Sequence, residues 1–111
     1  METQELTLDI SVMRKAATEA TEVLRVLANE DRLMLLCQLS QGEKSVSELE
    51  ELLDIHQPTL SQQLGVLRSI GMVNTRRDGK RIYYSIADEK ILVLLETMYG
   101  LYCAKPKKGK K

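Results

Sequence analysis

The sequence predicts a mainly α-helical domain carrying one β-hairpin. Three observations support this. Apolar residues recur at helical spacing along four successive segments before residue 71. The period then falls to about two over residues 72–86, around the dipeptide Asp78-Gly79. A helical run rich in leucine, isoleucine and tyrosine follows over residues 89–103. The 111 residues suit one domain with a modest core, expected over residues 1–104. Residues 105–111 are Lys-rich, hold no apolar side chain apart from Pro106, and are expected to be disordered.

Thr7 or Asp9 can cap a first helix running to about Leu27, with Ile10, Met13, Ala17, Ala20, Val23, Leu24 and Leu27 along one side. Alanine permits close packing but buries little area, so packing within one chain and pairing with a second chain are equally open. Asn29 is the natural cap of a second helix. Glu30 and Asp31 fall in its first turn, where carboxylates complement the positive helix end. From Leu33 to Leu39 this helix is apolar almost all round, which predicts a central position before a stop near Gly42. Ser45-Val46-Ser47-Glu48 is a capping box and opens a third helix, in which Val46, Leu49, Leu52 and Leu53 repeat at helical spacing. Asp54-Ile55-His56 makes a tight turn, and Pro58 suits the start of a fourth helix, where its missing N–H is harmless. Helix, short turn, helix is a helix-turn-helix.

The fourth segment, Gln57 to Gly71, has two unlike faces. Leu60, Leu64 and Leu67 share an apolar stripe, while Pro58, Gln62, Gly65 and Ser69 lie opposite, flanked by Thr59 and Ser61. That second face is short-chained, polar and almost uncharged. Amides and small residues suit a surface that approaches base edges, and a mid-helix glycine costs about 1 kcal/mol against alanine unless close approach offsets it. The competing reading is a helix that is merely glutamine-rich. Beyond it, Asp78-Gly79 between β-favouring runs signals a hairpin, with Arg76, Arg77, Lys80 and Arg81 clustered about its tip. Such a cluster serves either as a solvated edge or as a phosphate or minor-groove contact; its place after a helix-turn-helix favours the contact. His56, the only histidine, beside a turn, reads as a cap or phosphate contact rather than a metal ligand. Asp88 caps the last helix, whose apolar residues are too numerous for one stripe and call for a second molecule.

Composition narrows the function classes. Formal charge is zero, yet Lys105, Lys107, Lys108, Lys110 and Lys111 leave residues 1–104 with a net charge of −5. An acidic body does not coat nucleic acid indiscriminately, so any DNA contact is local. The lysines themselves read either as a basic arm for DNA or as a solubilising end. With no Trp, no Phe and four Tyr, a single-strand stacking platform is disfavoured. Two cysteines with 65 residues between them form neither a metal knuckle nor a secreted disulfide framework, and no run suits a signal peptide or membrane span. A cytoplasmic location, no membrane partner and no cofactor are the expectations. No activated thiol constellation suggests an enzyme.

Leu27-Ala28-Asn29-Glu30-Asp31-Arg32-Leu33, Ser45-Val46-Ser47-Glu48-Leu49, Leu60-Ser61-Gln62-Gln63-Leu64, Leu67-Arg68, Gly71-Met72-Val73 and Tyr83-Tyr84-Ser85-Ile86 together resemble the signature blocks of the ArsR/SmtB family of winged helix-turn-helix repressors. The resemblance spans residues 15–103. It implies a homodimer through the first and last helices on a double-stranded DNA operator with an inverted repeat. Base contacts would come from Gln57, Pro58, Ser61 and Gln62, in a DNA-binding set completed by Thr59, Arg68, Arg76, Arg77, Lys80 and Arg81. Many members carry serine where this chain has Pro58 and histidine where it has Gln63.

The inducer side of the resemblance rests on Cys37 and Cys103. The Cys-x-Cys motif of arsenic and cadmium sensors and the last-helix histidines of zinc sensors have no counterpart in this sequence. One cysteine on the second helix and one ending the last resemble instead the BigR/SqrR/YgaV/HlyU dithiol group. There a dithiol answers reactive sulfur species or oxidants and loosens the repressor from DNA. Taken alone, the two residues read as unrelated structural thiols. As a pair, the more exposed Cys103 is expected to react first and Cys37 to resolve the product, as a disulfide or polysulfide. A metal(loid)-responsive repressor is the alternative.

Overall fold

The computed structural model describes residues 9–103, so Thr7 and the Lys-rich segment 105–111 lie outside the described residues. In chain order the elements are α1 (Ile10–Leu27), α2 (Glu30–Leu39), β1 (Lys44–Ser45), α3 (Val46–Leu53), α4 (Thr59–Ser69), β2 (Val73–Asp78), β3 (Arg81–Ile86) and α5 (Glu89–Tyr102). All five helices and the hairpin follow the periodicities above.

The helix starts are set locally. Asp9, Asn29 and Asp88 each accept from a backbone N–H in the first turn of α1, α2 and α5. At α3 the capping box is complete: Ser45 Oγ accepts from Glu48 N at 3.2 Å and Glu48 accepts from Ser45 N at 2.8 Å. These bonds hold the Glu48 carboxyl below its ordinary pKa. Ser45 is itself buried, so its hydroxyl satisfies a helix end that water does not reach.

The short strand β1 is not foreseen by periodicity. It pairs antiparallel with β3, Lys44 opposite Tyr84 and Ser45 opposite Tyr83, giving a three-stranded sheet of order β1-β3-β2. The cap of α3 is therefore also a strand residue, and the helix-turn-helix is joined directly to the hairpin.

The core centres on α2, as its sequence implies. Leu35, Leu36 and Leu39 are fully or almost fully buried against Leu49 of α3, Leu60, Leu64 and Leu67 of α4, and Ile91 and Leu95 of α5. Met34 escapes to the surface, because a helix flanked on three sides still keeps one outer strip. The two terminal helices behave differently. Along α1 only Leu27 is buried, with Val23 and Val26 half-buried, while Ile10, Val12, Met13 and Leu24 face out. On α5, Val93, Tyr99, Leu101 and Tyr102 are exposed. No helix among the described residues is long and apolar enough to cross a membrane.

Candidate nucleic-acid interface and thiol cleft

Helix α4 keeps both its faces. Leu60, Leu64 and Leu67 are at most 1% exposed, whereas Gln57, Pro58, Ser61, Gln62, Gly65, Arg68 and Ser69 are exposed and Thr59 is half-buried. Pro58 occupies the N-cap position and offers no side-chain acceptor; Gln57 supplies one from outside the helix, its Oε1 accepting from Ser61 N at 3.1 Å. That leaves the two amide hydrogens of Gln57 to face outward. A Cβ added at Gly65 would meet nothing within 4 Å, so no contact among the described residues demands a glycine there.

The end of α4 aims the chain at the wing. Gly71, at φ 80°, donates to Arg68 O, and Met72 donates back to Leu67 O at 3.0 Å, with Met72 and Leu67 both buried. This is a Schellman motif, which needs the positive φ that glycine tolerates. The hairpin then turns at Gly79-Lys80, Asp78 still facing Arg81 across the ladder. The turn thus lies one residue beyond Asp78-Gly79, because Asp78 stays in the strand and Gly79 alone takes the positive φ, 66°.

The four wing cations are not equivalent. Arg76 reaches across β3: its guanidinium lies 4.7 Å from the Tyr83 ring centroid and donates to both carboxylate oxygens of Glu43, just before β1, at 2.8 and 2.9 Å. Glu43 is held below, and Arg76 above, its ordinary pKa, each chiefly by this hydrogen-bonded pair. Arg77, Lys80 and Arg81 are exposed, and no ion pair joins them to another described residue. His56, in the turn before α4, has Nε2 2.6 Å from Asp54 Oδ1 and Nδ1 3.4 Å from Glu50 Oε2. Asp54 first, then Glu50, raises the imidazole pKa.

A further contact was not readable from the sequence. Arg32 of α2 donates through Nε to Val26 O at 2.9 Å and through Nη1 to Gln63 Oε1 of α4 at 3.1 Å. The central helix thereby holds the reading helix directly.

Cys37 and Cys103 come together. A cleft of about 340 Å³ is lined by Leu33 and Cys37 of α2 and by Met98, Tyr99, Tyr102 and Cys103 at the end of α5. Both cysteines are free; Cys37 is half-buried and Cys103 exposed. Burial first, and the neighbouring Cys103 second, push the Cys37 thiol above its ordinary pKa. Among the described residues, no group of three or more His, Cys, Asp or Glu side chains is placed to hold a metal ion.

A helix-turn-helix with an exposed amide-bearing reading face, followed at once by a basic hairpin, defines a winged-helix DNA-binding protein. Residues 29–75 match the family described as bacterial regulatory protein, arsR family, and the chain belongs to that family. It is 54% identical over 97 residues to a biofilm growth-associated repressor of Agrobacterium fabrum, covering 87% of this chain and 83% of the relative. The transcriptional repressor BigR of Xylella fastidiosa superposes with TM-score 0.81 at 46% identity, over 88% of this chain and all of that one. Reduced HlyU of Vibrio cholerae gives TM-score 0.79 at 38% identity, over 83% and 97%. These relatives are DNA-binding transcriptional regulators rather than enzymes, and the chain is a regulator of the same type.

Proposed function

We propose that the chain is a homodimeric transcriptional repressor whose hold on an inverted-repeat operator is released when Cys37 and Cys103 are linked by reactive sulfur species or oxidants. The observation that carries this reading is the shared cleft: thiols far apart in sequence line one wall-to-wall gap between α2 and α5. The repressor direction follows the names of the Agrobacterium and Xylella relatives.

Two recognition helices enter successive major grooves about 34 Å apart. Gln57, Pro58, Thr59, Ser61 and Gln62 face the bases, while Arg68, Arg77, Lys80 and Arg81 face phosphates. Arg76 joins them only by giving up Glu43. The outward apolar residues of α1 and α5 supply the dimer surface, since side chains such as Ile10 and Leu101 stay exposed among the described residues.

Exposed Cys103 attacks the sulfur donor, and Cys37 displaces the remainder. Two thiolates lose two electrons, which leave on the departing sulfide, polysulfide or reduced oxidant. A bridge between α2 and α5 shifts α2, and the Arg32–Gln63 contact passes that shift to α4. Coupling of this kind alters affinity by about 5- to 150-fold. Mobility-shift titration of reduced and polysulfide-treated protein, with mass spectrometry of the Cys37 to Cys103 crosslink, tests the reading. Equal affinity of the two forms overturns it. Cys37→Ser and Cys103→Ser should each bind operator like the parent and lose the response.

A further inference from the structure

Arg32 touches three helices. Its backbone lies in the first turn of α2, where its N–H donates to the Asn29 cap at 3.0 Å. From there its side chain reaches two other helices: Nε donates to Val26 O at 2.9 Å, in the last turn of α1, and Nη1 donates to Gln63 Oε1 at 3.1 Å, midway along α4. Val26 O is one of the last four carbonyls of α1, which find no partner inside their own helix, and a cation suits that negative end. Arg32, Val26 and Gln63 are all half-buried, so water weakens these bonds less than it would at the surface.

The apolar packing around this contact gives less direction than the contact does. Helix α1 is attached through buried Leu27 and half-buried Val23 and Val26, and α4 rests on α2 through Leu60, Leu64 and Leu67. Apolar burial is non-directional, so it resists a small roll or slide of a helix less than a bond of fixed geometry does. The guanidinium is a rigid plane, and donors on one plane hold Val26 and Gln63 at a set separation. Gln62, next to Gln63, lies on the exposed polar face.

Resting on the homodimer and inverted repeat proposed above, we infer that Arg32 is a positioning residue that sets which half-site spacing the dimer accepts. One end of the tie is on α1, which carries part of the proposed dimer surface, and the other is on α4, which carries the proposed reading face. The tie therefore fixes where each reading face stands relative to its partner. One added base pair moves a half-site by about 3.4 Å and turns it by about 35°. A tied dimer must strain or lose these bonds to follow, whereas an untied one rolls α4.

The test starts with the full-length protein selecting duplexes from a random library, which should return an inverted repeat of one spacing. Competitive mobility shifts then compare that duplex with versions one base pair longer and one shorter. Gln63→Met keeps the length of the side chain and removes the acceptor; the preference for the selected spacing should fall about tenfold, the worth of one hydrogen bond to a charged group. Arg32→Lys, with a point charge in place of the rigid fork, should lower it in the same direction. Gln63→Glu keeps the acceptor, so it should bind all three duplexes more weakly yet preserve the preference. An unchanged preference in Gln63→Met, or an equal loss of preference in Gln63→Glu, overturns the inference and leaves the homodimer reading intact. If the parent selects no inverted repeat, both fall.

Discussion

The polar face of α4 and the cleft of Cys37 and Cys103 are opposite kinds of surface. The first is polar and exposed, and is assembled from consecutive residues on a helix whose other side is locked into the core. The second is apolar and recessed, and comes from two helices whose cysteines have 65 residues between them. One helix, α2, touches both: it packs beneath α4 through its leucines and carries Cys37 into the cleft. On the proposed function, a surface that must find DNA benefits from rigid support, whereas a switch needs a place where helices can shift.

That contrast can be broken first at the support. Leu64→Ala removes a side chain 1% exposed from beneath the reading face and should cost about 2 to 5 kcal/mol of stability by chemical denaturation. Half-buried Met98→Ala, at the cleft, should cost less than Leu64→Ala; equal losses would mean the cleft is as tightly packed as the core. Gln62→Ala should weaken operator binding by about 1 to 3 kcal/mol in a fluorescence titration while the sulfur response survives. Loss of the response as well would show that the two regions are not separable. Ser45→Ala removes a buried cap and should lower stability by about 1 kcal/mol, read as a lower denaturant midpoint.

The smallest effects are those of pH. His56 has a raised pKa, so its pairing with Asp54 and Glu50 contributes fully below about pH 6.5 and is lost as pH rises through the raised value. Glu48 has a lowered pKa, so its share of the capping box is present above about pH 4.3 and is lost as pH falls through the lowered value. His56→Gln should flatten the slope of stability near neutrality, and Glu48→Gln the slope in acid. A slope unchanged by either substitution would remove that group from the account.

How legible each region was follows from how local its causes are. Caps at Asn29, Ser45 and Asp88 and the Leu60–Leu64–Leu67 stripe act within a few residues, and each is readable from the sequence, which leaves the first cap open between Thr7 and Asp9. Strand β1 is two residues long and has no period to read; only its pairing with β3 defines it. The Arg76–Glu43 and Arg32–Gln63 contacts join residues more than thirty positions apart, and neither charge nor spacing points to a partner at that range. The cysteines stand between these cases. Their residue types suggested a pair through family resemblance, but the shared cleft exists only because α5 folds back beside α2.

The clasp of Arg76 by Glu43 over the Tyr83 ring has a consequence for how the wing behaves in salt. Each cation set against a phosphate frees about 0.9 of a counterion, so a wing using all four would give a steeper fall of affinity with salt than one using three. With Arg76 engaged by its carboxylate, the shallower dependence is expected. Glu43→Gln should steepen it by about 0.9 per wing in a plot of log affinity against log salt. An acidic side chain ahead of a two-residue strand would then act as a ballast ion, setting how strongly this regulator feels the ionic strength around it.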